Sequence, residues 1–130
     1  MTQAAADRVV IMVEDHPEVL DLGREMLEDA GFAVIAFETA DQALGAIEAG
    51  EPCDLLFTDI VMPGGIDGLE LASRAGQLRP DLPVLLTTGW SDQAHDQKSS
   101  GYPLIGKPYR QADLVGRVEE LLDTTPTSDG

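Results

Sequence analysis

Four places in this 130-residue chain carry residue types that can do chemistry together. Glu14 and Asp15 follow one short apolar run, Asp59 follows a second, Thr88 and Gly89 a third, and Lys107, with Pro108 behind it, a fourth. Three crowded carboxylates repel one another, and some take up protons unless a cation neutralises them. Oxygen ligands with open positions suit Mg²⁺, which keeps part of its water shell and commonly adds a phosphate oxygen. A lysine and a hydroxyl nearby would meet the negative charge on a transferring phosphoryl group. A carboxylate can itself be the atom that is phosphorylated. No histidine base or thiol nucleophile accompanies the set, so acyl transfer gains no support. The set reads as phosphoryl acceptance on Asp59.

Each member alone has a plainer explanation. An acidic pair after a strand is an exposed loop, or caps the helix that Pro17 begins. Thr88-Gly89 is a turn, and a lone lysine is a solvated charge. The weight lies in their joint placement, which depends on the elements that carry them.

Those elements alternate between two patterns. Short apolar, β-branched runs read as buried strands: Val9-Val10-Ile11-Met12-Val13, Ala33-Val34-Ile35-Ala36-Phe37, Leu55-Leu56-Phe57-Thr58, Val84-Leu85-Leu86-Thr87 and Leu104-Ile105. Continuous apolar runs are what a parallel sheet covered on both faces requires. Between them, apolar residues recur at helical spacing: Val19, Leu22, Met26 and Ala30; Ala40, Ala43, Leu44 and Ile47; Leu71, Ala75 and Leu78. A last stripe, Leu114, Val118, Leu121 and Leu122, closes the series. Gly31, Gly50 and Pro80 stand where the first three helices should stop. Residues 91–100 are polar and weakly patterned, a short helix at best. The alternation predicts right-handed βαβ crossovers and an α/β, doubly wound, five-stranded parallel sheet with helices on both faces. In such sheets ligands bind beyond the carboxyl ends of the strands. All four chemical sites fall there. Residues 8–123 are expected to form the domain, with polar, disordered tails at 1–7 and 124–130.

Composition narrows the function classes. Eight basic residues against 24 acidic ones give a formal charge of −16, a field that repels nucleic acid phosphates. Nucleic acid is therefore not an expected partner. No apolar stretch approaches the roughly 20 residues that span a bilayer, and no signal peptide opens the chain. A cytoplasmic protein is expected, which the lone Cys53 fits. His16 at a helix start and His95 in a polar segment read as exposed residues; neither is the expected phosphoryl donor.

The sequence resembles the response-regulator receiver family of two-component signalling over nearly its whole length. The resemblance is carried by Val13-Glu14-Asp15, Thr58-Asp59-Ile60-Val61-Met62-Pro63, Asp67-Gly68-Leu69-Glu70, Pro83-Val84-Leu85-Leu86-Thr87-Thr88-Gly89 and Lys107-Pro108-Tyr109. It implies the flavodoxin-like strand order 2-1-3-4-5. It implies Asp59 as phospho-acceptor. Mg²⁺ would be held by Asp15, Asp59 and the backbone carbonyl of Val61, with Glu14 acting through water. Lys107 would pair with phosphoryl oxygens, Thr88 would be the switch hydroxyl, and the Lys107–Pro108 peptide would be cis. The implied partners are a histidine kinase or histidine phosphotransfer domain, and the family also raises pairing into a homodimer.

Departures from the family pattern set further expectations. Residues 63–68 form a loop one residue longer than usual, with glycines suited to positive φ and Asp67 placed to cap the third helix. Leu104 stands where many receivers carry a switching aromatic ring, so the signal is expected to travel by ordering of the last strand and the segment before it. Val61 and Trp90 are apolar at positions that flank the phosphoryl group, which predicts slow self-dephosphorylation. The departures resemble receivers of hybrid histidine kinases and stand-alone receivers. A phospho-switch that is not a free-standing enzyme is the expected function. A constitutive, unphosphorylated binding module and a Mg²⁺-dependent phosphohydrolase are the competing readings.

Overall fold

The computed structural model describes residues 8–62, 64–89 and 101–124. Residues 1–7 and 125–130 of the expected tails, the segment 91–100 with His95, and Trp90 lie outside the described residues. Thr124, expected in the C-terminal tail, ends the last helix because its backbone continues the turn before it.

The five apolar runs form the five strands: β1 (Val9–Val13), β2 (Ala33–Phe37), β3 (Leu55–Asp59), β4 (Val84–Gly89) and β5 (Leu104–Lys107). They pair in parallel in the order β2-β1-β3-β4-β5. Strand alternation divides the interior into two cores. Val10, Met12, Phe57 and Leu85 face α1 (Pro17–Asp29) and α4 (Gln111–Thr124). Ile11, Val13, Leu56 and Leu86 face α2 (Ala40–Glu48) and α3 (Gly68–Leu78). Gln111 Nε2 ties α4 to the end of α1 by donating to the Met26 carbonyl and to Asp29 Oδ2, at 3.1 and 3.0 Å.

The last three strands run one or two residues beyond their apolar stretches. Asp59 pairs with Thr87, and Gly89 with Lys107. Backbone pairing does not depend on side-chain polarity, so the chemical residues sit within the strand ends and take their positions from the sheet.

Two helical stripes differ from the expected ones. In α1 the buried residues are Leu20, Gly23 and Leu27, while Leu22 is 53% exposed and Val19 and Met26 are half-buried. A side chain at position 23 would run into Met12 and the Tyr109 hydroxyl, so the glycine lets the helix lie close to the sheet and turns Leu22 outward. In α3, Leu71, Ala72 and Ala75 are buried but Leu78 is 50% exposed, because the helix is ending there and no element among the described residues covers its last turn.

The loop before α3 follows its chemistry. Gly64 and Gly65 take φ of 67° and 61°, and Asp67 Oδ1 accepts from the Glu70 amide at 2.9 Å to cap the helix. Gly68 packs directly on the backbone of Asp59, where any Cβ would collide with the Asp59 carbonyl. Its amide donates to the Ile60 carbonyl at 2.9 Å. Gly68 thus packs against the end of β3.

The two α3 leucines offer a direct check. Leu71→Ala should cost about 2–5 kcal/mol of unfolding free energy, whereas Leu78→Ala should stay within about 0.5 kcal/mol. Urea midpoints of the two variants measure this, and equal losses would contradict the packing described.

Candidate functional site

Lys107 joins the ends of three strands. Its Nζ lies 2.9 Å from Asp59 Oδ2 at the end of β3 and 2.7 Å from Glu14 Oε1 just after β1. Glu14 is 1% exposed and Asp59 4%. Two carboxylates removed from water at this spacing need a cation between them, and β5 delivers one through its register with β4. The bare ammonium would be disfavoured by burial, but its hydrogen bonds to Asp59 and Glu14 outweigh that and raise its pKa. Burial pushes the Asp59 carboxyl up to about 6; the Lys107 ammonium opposes the rise, while Glu14 and Asp15 add to it.

The second oxygen of Glu14 is also held. Glu14 Oε2 accepts from the His16 amide at 3.1 Å and lies 3.0 Å from His16 Nδ1. The same ring nitrogen is 3.4 Å from Asp15 Oδ1, a buried oxygen without a hydrogen-bond partner among the described residues. The Glu14 contact, with help from Asp15, raises the His16 pKa. One ligand atom each from Glu14, Asp15 and His16 fall within 4.8 Å of one another. These oxygens and the nearby Asp59 are a donor set that fits a divalent cation. His16 was expected to be merely exposed. It is 69% exposed, yet its ring leans over both carboxylates. His16 is also the N-cap of α1 without any side-chain cap, so the acidic pair does not cap the helix.

The remaining expected residues sit at the same rim with different contacts. Thr88 is fully buried at the end of β4, and its hydroxyl donates to the carbonyl of Gly89 at 3.4 Å; no hydrogen bond joins it to Asp59 among the described residues. Thr87 pairs with Asp59 in register, and its buried hydroxyl lacks a partner among the described residues. Val61 follows β3 with its side chain 50% exposed. Lys107–Pro108 is cis. Leu104 is half-buried, and Tyr102, two residues earlier, packs against the same core cluster. Tyr109 stacks edge-on against Phe57 with centroids 5.6 Å apart, and burial pushes its hydroxyl pKa up. Beside Lys107, the side chains of Val19, Leu22, Pro108 and Tyr109 line an apolar notch of about 320 Å³.

Comparison with known proteins decides the family. The response regulator receiver domain profile matches residues 10–119. The chain belongs to the response regulator receiver family. It is 34% identical over 116 residues to the response regulator receiver protein CpdR of Brucella abortus, covering 87% of this chain and 95% of CpdR. Other relatives are longer regulators, of which this chain spans about a quarter. Among solved structures, a response regulator receiver protein from Sinorhizobium medicae aligns with a TM-score of 0.84 at 24% identity, covering 91% of this chain and 96% of that one. The receiver domain of the hybrid histidine kinase CckA aligns with a TM-score of 0.73 at 27% identity, covering 88% and 98%. The receiver is a signalling domain of two-component systems, and among the described residues no helix is long and apolar enough to cross a membrane.

The raised Asp59 value has a sign that can be tested. Protonated Asp59 favours the fold, so its contribution is full below pH 3.8 and is lost as pH rises through about 6. Without divalent cations, carbon-13 NMR of the Asp59 carboxyl should show a midpoint near 6, and Lys107→Gln should move it higher. A wild-type midpoint near 3.8 would contradict the burial argument.

Proposed function

We propose that this receiver accepts a phosphoryl group on Asp59 from a phosphohistidine of a partner histidine kinase or histidine phosphotransfer domain. The observation that supports this most is the Lys107 ammonium bridging Asp59 and Glu14, with Asp15 at the same rim. Mg²⁺ held by Asp15, Asp59 and the Val61 carbonyl, with Glu14 acting through water, would neutralise charge on the carboxylates and on the incoming phosphoryl oxygens.

The residues supply the rest. Asp59 attacks as the carboxylate; the new bond is Asp59 oxygen to phosphorus, and the bond that breaks is donor imidazole nitrogen to phosphorus. The leaving imidazole keeps the electron pair and takes its proton from solvent. Lys107 already stands within 2.9 Å of the acceptor carboxylate, so a short displacement carries it onto a phosphoryl oxygen. The Thr88 hydroxyl gives up a long contact to its neighbour's carbonyl for a charged acceptor, a stronger partner. That exchange would draw in the end of β4 and, through its pairing, β5. Leu104 and Tyr102 pack on one core cluster, and movement there would alter the surface that a partner reads. The apolar notch beside Lys107 gives a donor protein a place to rest while its histidine reaches Asp59.

Intact mass spectrometry after treatment with acetyl phosphate or phosphoramidate tests the proposal. Wild type should gain one phosphoryl group only when Mg²⁺ is present, and Asp59→Asn should gain none. Labelling of the Asp59→Asn chain, or none of wild type, would overturn it.

Val61 bears on the lifetime of the product. Its half-exposed apolar side chain would obstruct the water that hydrolyses the acyl phosphate in line. Val61→Asn should therefore shorten the half-life of the phosphorylated protein, followed by the same mass measurement. An unchanged half-life would remove Val61 from this role.

A further inference from the structure

Mg²⁺ recognition uses oxygen alone, yet the ligand atoms collected most tightly at this rim include a nitrogen. His16 Nδ1 lies 3.0 Å from Glu14 Oε2 and 3.4 Å from Asp15 Oδ1. The ring is not positioned by chance contact alone. The His16 amide donates to the same Glu14 oxygen at 3.1 Å, while Lys107 fixes the other Glu14 oxygen at 2.7 Å. The Glu14 carboxylate is therefore pinned at both ends, and the imidazole that shares its Oε2 leans over Asp15. Asp15 Oδ1 in turn is a buried acceptor with no donor among the described residues. A nitrogen, a pinned carboxylate and an unsatisfied carboxylate oxygen together make a mixed donor set, within 4.8 Å of one another.

We infer that His16 is a metal ligand that shifts this rim toward borderline divalent cations such as Zn²⁺ and away from exclusive use of Mg²⁺. Imidazole and carboxylate together suit Zn²⁺, whereas carboxylate, carbonyl and water suit Mg²⁺. Ligation requires the neutral ring with Nδ1 free, so binding displaces any proton from Nδ1 into solvent and leaves the remaining one on Nε2. Glu14 keeps its ion pair with Lys107, and Asp15 gains the partner it lacks. The inference rests on the divalent-cation site proposed above, and it assigns that site a specificity determinant in the chain itself. A zinc-loaded rim would hold the same carboxylates as Mg²⁺ does, so the two ions should compete, and phosphoryl acceptance should respond to which one is present.

Isothermal titration calorimetry with Zn²⁺ and Mg²⁺ at pH 8, on wild type, His16→Ala and Asp15→Asn, tests this. Carbon-13 spectra of the imidazoles supply a readout independent of phosphorylation. His16→Ala should lower the ratio of Zn²⁺ to Mg²⁺ affinity by about tenfold or more, since even partners outside the first coordination shell are worth that much. Asp15→Asn should weaken both ions, and the His16 ring carbons should shift on adding Zn²⁺. An unchanged affinity ratio in His16→Ala, a Zn²⁺ affinity untouched by Asp15→Asn, or unshifted His16 carbons would each overturn the inference. None of these results would affect the phospho-acceptor reading, which fails separately if wild type neither binds Mg²⁺ nor takes a phosphoryl group.

Discussion

Two carboxylates share one ammonium at the carboxyl edge of the sheet, and the rest of the molecule is arranged around that shortage of positive charge. Glu14 and Asp59 are almost wholly buried, and Lys107 is within 2.9 Å of both. Burial disfavours the charged forms of Asp59 and Lys107. Even beside Lys107, Asp59 is left with a carboxyl that protonates near pH 6. A carboxylate poised in this way is easily stabilised by further positive charge, and that is the property a phosphoryl acceptor needs. A carboxyl that is half-protonated near pH 6 becomes more fully ionised once a cation arrives.

The fold makes this crowding tolerable. Parallel pairing brings the ends of β1, β3, β4 and β5 to one edge, and the pairs Asp59–Thr87 and Gly89–Lys107 set the aspartate and the lysine in fixed register. Gly68 lets α3 start directly against the Asp59 backbone. Gly23 lets α1 approach close enough for Tyr109 to tuck beneath it and pack on Phe57. The site is thus held by strand ends and helix starts.

Much of this could be read from the sequence, for identifiable reasons. Short apolar runs announced every strand, because a sheet covered on both faces tolerates little else. Asp67 before Gly68, and the paired glycines ahead of it, announced a capped helix after a positive-φ turn. The faces of α1 and α3 were less legible. Spacing gives the period of an apolar stripe but not its phase, and in α1 a glycine, not an apolar residue, marks the buried line. His16 had no sequence signal at all. Glu14 and His16 lie between β1 and α1, where no strand or helix period applies, and the turn into α1 folds the ring back over the pair. Tyr102 was also missed, since attention falls on Leu104, two residues later, where the family carries its aromatic ring.

The central claim is that Asp59, Lys107 and the acidic pair form one phosphoryl-accepting centre. A crystal structure grown with Mg²⁺ and beryllofluoride, a phosphoryl mimic, tests it most directly. The account predicts beryllium bonded to an Asp59 oxygen, a cation touching Asp15 and the Val61 carbonyl, and Lys107 Nζ moved from the carboxylate to a fluorine. A bare Asp59 carboxylate still paired with Lys107 under those conditions would contradict it.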